Sequence, residues 1–317
     1  GGGLLMEAIR IVNLFVPKGQ LIVSTKGRLK EENRAYKTRE KPAFPEMRLV
    51  VLINERSASA SEIVAGSLQD LDRAIVVGSQ SYGKGLVQRT YDLKYGSKLK
   101  LTISKYYTPS GRCVQRLEYY EKGAKDKPSE ISDTLLTTFK TKNGRDVIDG
   151  RGIFPDIEVK QEKLGRLSSL LLMEDMVFDF ATDFANTHDS ISGPGLFTLK
   201  DEDYRAFIEF VLENEKFTFE TASEIKLKEL KKITDLEGYS EAIASAYKEI
   251  SELVSADLEK ELTSIQPEIS RWIESEIISR YYFQRGASVH GFRFDLDVIK
   301  AKELLLDIDT YNNILKL

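Results

Sequence analysis

Two apolar runs of strand length enclose a small-residue helix, and that pairing limits the fold more than any other part of the sequence. Leu49-Val-Val-Leu-Ile53 is continuous apolar sequence, as expected for a strand covered on both faces. A helix from about Ser59 to Leu71 follows, and Ala74-Ile-Val-Val-Gly78 reads as a second buried strand. Strand, helix and strand within roughly 30 residues predict a βαβ-like unit in an α/β fold.

The flanking sequence extends this unit. Met6, Ile9, Ile11, Val12, Leu14 and Phe15 fall near one helical stripe, ended by Pro17-Lys18-Gly19. Gln20 to Thr25 is a short β-prone run, and the charged stretch 29–46 with its two prolines reads as a loop. Leu99, Leu101 and Ile103 alternate with Lys100, Thr102 and Ser104, the period of a half-exposed antiparallel strand. Residues 118–132 read as a polar loop, and 143–160 as short strands and turns. The texture changes near residue 165, beyond which helix-length segments dominate. The expected division is an α/β core over 1–162 and a mainly α-helical region over 163–317.

Composition removes several functions. Forty-six basic and 50 acidic residues give a net charge of −4, which leaves no overall basic footprint for nucleic acid. No run of 18 apolar residues suggests a membrane span. One cysteine, Cys113, excludes an intrachain disulfide, and no Cys or His spacing suggests a metal.

The chemistry concentrates in Ser57-Ala-Ser59-Ala-Ser61-Glu62 and, downstream, Gly83-Lys84-Gly85. Serine needs a neighbouring base to act as a nucleophile. The two histidines, His188 and His290, are remote in sequence, so the base to consider is a lysine. Lys84 serves only if desolvation lowers its pKa from ~10.4; Tyr82, Leu86 and Val87 offer apolar cover. A helix starting at Ser59 would aim N–H groups at a developing oxyanion, and the opening glycines could add a donor. The bland alternatives stay open at this point. Ser59-x-x-Glu62 is also a capping box, and a lysine between glycines is also a solvated turn. Gln88 could hold the lysine amine or pair across strands. Asp70 could orient a catalytic group or lie on the surface.

Residues 49–66 and Ser81-Tyr-Gly-Lys-Gly-Leu-Val-Gln88 resemble the catalytic core of the C-terminal processing peptidases, also called tail-specific proteases. Gly3-Leu-Leu, Phe15-Val-Pro-Lys-Gly19, Lys105-Tyr-Tyr-Thr-Pro-Ser-Gly-Arg112 and Gly152-Ile-Phe-Pro-Asp156 extend the likeness in order over about residues 1–160. The resemblance implies a ClpP/crotonase-like ββα spiral core and a Ser-Lys serine endopeptidase without metal or other cofactor. It places the nucleophile at Ser59, the general base at Lys84 and its orienting glutamine at Gln88. It implies an oxyanion site near Gly2, Gly3 and Ala60, with Asp70 in a supporting role. The implied partners are polypeptides with apolar, unstructured C-termini, in a bacterial cell envelope. No PDZ-like segment is evident within 1–317. That leaves an alternative, an incomplete or inactive peptidase fold that binds a protein, with the helical region available for a partner or a second copy.

Overall fold

A computed structural model describes residues 1–118, 129–161 and 163–317, so most of the loop expected over 118–132 lies outside the described residues. The chain forms two compact units: residues 1–161 with 296–317, and residues 163–295.

In the first unit the expected elements are present. Helix α1 (Leu5–Asn13) precedes β1 (Leu21–Gly27), β2 (Arg34–Lys37), β3 (Val50–Ile53), α2 (Ala60–Asp70) and β4 (Ile75–Gly78). Then come β5 (Leu86–Asp92), β6 (Lys98–Tyr107), β7 (Leu117–Glu118), β8 (Ser129–Glu130), β9 (Thr138–Lys140), β10 (Asp146–Ile148) and β11 (Ile157–Glu158). One sheet is parallel, in the order β11-β4-β3, with α2 as the β3-to-β4 crossover. A second, in the order β2-β1-β6-β5, is antiparallel.

Three local readings shift. The central strand β4 is buried throughout, whereas β3 lies at the sheet edge and leaves Leu52 41% exposed. Residues 34–37, expected within a loop, form edge strand β2, whose basic residues guard it against further pairing. The alternating leucines of β6 do not face the core: Leu99 and Leu101 are exposed, while Ser104 and Tyr106 on the opposite parity are buried.

The core between the sheets gathers Val12, Ile22, Val23, Ile63, Leu68, Val76 and Val114 with Tyr106. On the other face of β4, Ile75 and Val77 meet Leu304, Tyr311 and Leu315.

The second unit contains α3 (Arg166–Met173), α4 (Met176–Thr187), α5 (Asp201–Glu213), α6 (Ala222–Leu236), α7 (Ser240–Val254), α8 (Leu258–Ser264) and α9 (Gln266–Gly291). Ile269, Ile273 and Ile277 recur every four residues along α9 and are fully buried, as a core-facing helical stripe requires. Phe180 and Phe207 pack edge to face at 5.2 Å. His290 is buried in this unit, with Nε2 3.1 Å from Glu274 Oε2.

Two further helices, α10 (Leu296–Leu306) and α11 (Ile308–Leu315), return to the first unit. The sequence groups them with the helical region, yet they supply the cover that the second face of a parallel sheet needs. No helix among the described residues is long and apolar enough to cross a membrane.

Candidate active site

Ser59 stands at the turn from β3 into α2, with φ 59° and ψ −116°. A non-glycine residue held at positive φ costs on the order of 1–3 kcal/mol, and such strain clusters at functional sites. Its backbone is anchored from the helix: Ser59 N–H donates to Glu62 Oε2 at 2.8 Å, and Ser59 C=O accepts from Glu62 N–H at 2.9 Å. Ser59 and Glu62 form a capping box, its Glu62 arm being the contact to Ser59 N–H.

Glu62 is fully buried and does more than cap. Oε1 accepts from Ser81 Oγ at 2.6 Å and Gly83 N–H at 2.7 Å, and Oε2 also accepts from Lys84 N–H at 2.9 Å. One carboxylate therefore holds the backbone of Ser59 and that of Lys84. Tyr106 repeats the link from the other side, its hydroxyl donating to Ser59 C=O at 3.1 Å and to Lys84 C=O. Burial, and next the charge of Glu62, raise the Tyr106 phenol well above its ordinary range, so it remains a donor.

The glycines beside Lys84 are required by close approach. A Cβ on Gly83 (φ 84°) would lie 2.5 Å from Arg116 Cβ, and one on Gly85 2.7 Å from Gln115 N. Gln115 Oε1 accepts from Gly85 N–H at 2.8 Å, and Tyr82 N–H reaches Ser57 C=O at 2.9 Å.

Beside this corner runs a groove of about 790 Å³, lined by Lys84, Gln88, Ala58, Tyr82, Leu86 and Tyr107 among others. Lys84, just beyond Gly83, and Gln88 of β5 both line it. Ser59 is half-buried next to Ala58. Lys84 and Gln88 are exposed, so the dry cover expected from Tyr82, Leu86 and Val87 is not closed over the amine. Among the described residues, neither the amine nor the Gln88 amide forms a hydrogen bond to the Ser59 hydroxyl.

Gly2 does reach the serine. A Cβ there would come within 2.8 Å of Ser59 Cβ and 3.4 Å of Ser59 Oγ, while Gly3 lies 4.0 Å from Ala60 Cβ by the same measure. Ser59 N–H is committed to Glu62, so it does not act as a free oxyanion donor here. The Ala60 N–H, at the first position of α2, has no partner within the helix.

Asp70 is not brought to this corner. It ends α2, about 16 Å from Ser59 at the helical rise, and is buried against Arg112 at 2.8 Å while accepting from Ser110 N–H at 2.9 Å. Cys113 packs beside Tyr107 with its thiol pushed up by burial. Glu62 and Tyr106 escaped the sequence reading as site residues. Glu62 is visible in the sequence only as a cap, and Tyr106 only as part of the Lys105-Tyr-Tyr-Thr-Pro-Ser-Gly-Arg112 stretch.

Residues 1–119 match the model of peptidase family S41, and residues 167–305 match the C-terminal helical domain of a probable PDZ-protease family. The N-terminal region is thus similar to peptidase family S41. Over 114 residues it is 47% identical to a carboxy-terminal-processing protease of Bartonella bacilliformis, covering 36% of this chain and 26% of that protein. It is 42% identical over 109 residues to the chloroplastic carboxyl-terminal-processing peptidase 1 of Arabidopsis thaliana, covering 34% and 22%. A probable CtpA-like serine protease of Staphylococcus epidermidis is 42% identical over 114 residues, covering 36% and 23%. The matches thus span about a quarter of the length of these curated relatives. A solved photosystem II D1 C-terminal processing protease aligns with 52% of this chain and 33% of its own at 26% identity, with a TM-score of 0.37.

Proposed function

We propose that the protein is a serine endopeptidase that cleaves polypeptides near their C-termini through Ser59 and Lys84. The supporting observation is the double tether of Glu62 and Tyr106, which fixes the serine turn and the lysine segment as one unit on the wall of a groove. In this reading Lys84, neutral once a bound polypeptide excludes water, takes the Ser59 proton. Ser59 Oγ then bonds to the scissile carbonyl carbon, and the oxyanion is held by N–H groups near Gly2, Gly3 and Ala60. The Lys84 ammonium returns its proton to the departing amine, and water hydrolyses the acyl-enzyme. Gln88 orients the amine from the same wall. The strained Ser59 backbone and the match of residues 1–119 to the S41 family model support this assignment, and the resemblance implies a cell-envelope location.

One observation favours a second reading, a peptidase fold that binds a polypeptide without cutting it: the Lys84 amine is exposed and unbonded to Ser59. Mass-spectrometric analysis of an unfolded polypeptide incubated with the full chain separates the two. Ser59→Ala and Lys84→Ala should each lower turnover by roughly a thousandfold or more, and Lys84→Arg should not restore it, because a guanidinium does not act as a base. Undiminished turnover in either alanine variant removes the dyad. Binding by the unaltered chain with no product supports the scaffold.

A further inference from the structure

Four cationic side chains line the groove, Lys26, Arg28, Lys84 and Lys105, and no carboxylate lines it among the described residues. All four are exposed, and none has an ion-pair partner among the described residues. The concentration is local, since the whole chain carries a net charge of −4. Two of the cations stand in an arrangement that a sheet ordinarily avoids. Lys26 and Lys105 are directly opposed in the β1–β6 register, and like charges so placed destabilise a strand pair. Lys26 is partly accommodated over the Tyr107 ring at 4.6 Å, while Lys105 lies between Lys26 and Leu86 in register. The remaining lining includes Tyr82, Leu86, Ile103, Tyr107 and Leu117, an apolar surface bearing a row of charge of one sign.

We infer that the groove selects polypeptide segments that carry carboxylates beside an apolar stretch. This rests on the peptidase reading for the identity of the ligand as a polypeptide. A cleft lined by one sign of charge raises the local concentration of the opposite sign, and an anion between Lys26 and Lys105 relieves their repulsion. Apolar contacts then seat the chain, and the cations set its register and exclude basic segments. The carboxylates come from Asp or Glu side chains or from the free chain end; four cations across the groove accommodate more than one.

The test uses fluorescein-labelled unstructured peptides of one length, differing only in Glu or Gln around a common apolar segment, each with a free or amidated C-terminus. Fluorescence anisotropy with the full-length Ser59→Ala chain reads the groove without turnover. An exposed ion pair changes affinity by up to about fivefold, so two contacts should favour the Glu peptide by roughly tenfold at low salt. The advantage should shrink as salt rises to about 0.5 M, where charges are screened. Lys105→Gln and Arg28→Gln together should bring the ratio towards one, and Lys105→Arg should keep it. A Glu-over-Gln preference assigns the contact to the side chains, and a free-over-amidated preference shared by both peptides assigns it to the chain end. Equal affinity of all four peptides, Glu or Gln, free or amidated, at low salt overturns the inference, even if the unaltered chain cleaves them. A Glu preference without cleavage by the unaltered chain keeps it and removes the peptidase reading instead.

Discussion

Glu62 accepts from three backbone N–H groups and one hydroxyl, all drawn from segments that meet at the serine turn. A buried carboxylate in that position does what no single packing contact does: it sets the distance between two chain segments 22 residues apart. Glu62→Gln replaces one acceptor oxygen by an amide NH2 that confronts N–H groups. It should cost about 3 kcal/mol in urea denaturation, with buried donors left unpaired. Tyr106→Phe removes the second tether and should lower kcat more than it raises KM for a cleaved peptide. The tyrosine also gives a pH signature. Its phenol ionises in the folded chain only well above the ordinary ~10 of an unfolded tyrosine. The fold therefore favours the neutral form, a contribution fully present below about pH 10 and lost as pH rises towards the folded value. Chemical denaturation between about pH 9 and 11 should show a shallower decline for Tyr106→Phe than for the unaltered chain.

At the scale of elements, the parallel sheet depends on a helix pair from far along the chain. The Tyr311 hydroxyl accepts from Leu49 N–H at 2.9 Å and donates to Leu49 C=O at 3.0 Å, closing the backbone just before β3. Tyr311→Phe keeps the packing and strands the Leu49 N–H, while the Leu49 C=O keeps the Ile75 N–H at 3.2 Å; it should destabilise the first unit by about 1–3 kcal/mol, read as faster amide exchange in β3 and β4. The same scale explains β6. Its outer leucines alternate as a half-buried strand should, yet the inner part turns Tyr106 to the core and Lys105 with Tyr107 to the groove.

At the scale of the molecule, the first unit is completed by residues that follow the second. A chain ending at residue 161 would leave Ile75 and Val77 without Leu304, Tyr311 and Leu315. It is expected to be markedly less soluble than the full chain and to bind a hydrophobic dye, because a parallel sheet with one bare face cannot hide its apolar side chains. Equal solubility and no dye binding would show that the first unit closes without α10 and α11.

The apolar runs at 49–53 and 74–78, the helix between them and the shift to helix near 165 were legible in residue order, since each depends on local periodicity and propensity. Ser59, Lys84 and the glycines were legible as candidates from residue type alone. The roles of Glu62 and Tyr106, the separation of Asp70 from the serine, the exposure of Lys84 and the return of 296–317 to the sheet were not. Each depends on which distant segments meet, and burial of a carboxylate or the covering of a sheet face is set by contacts across the chain rather than along it.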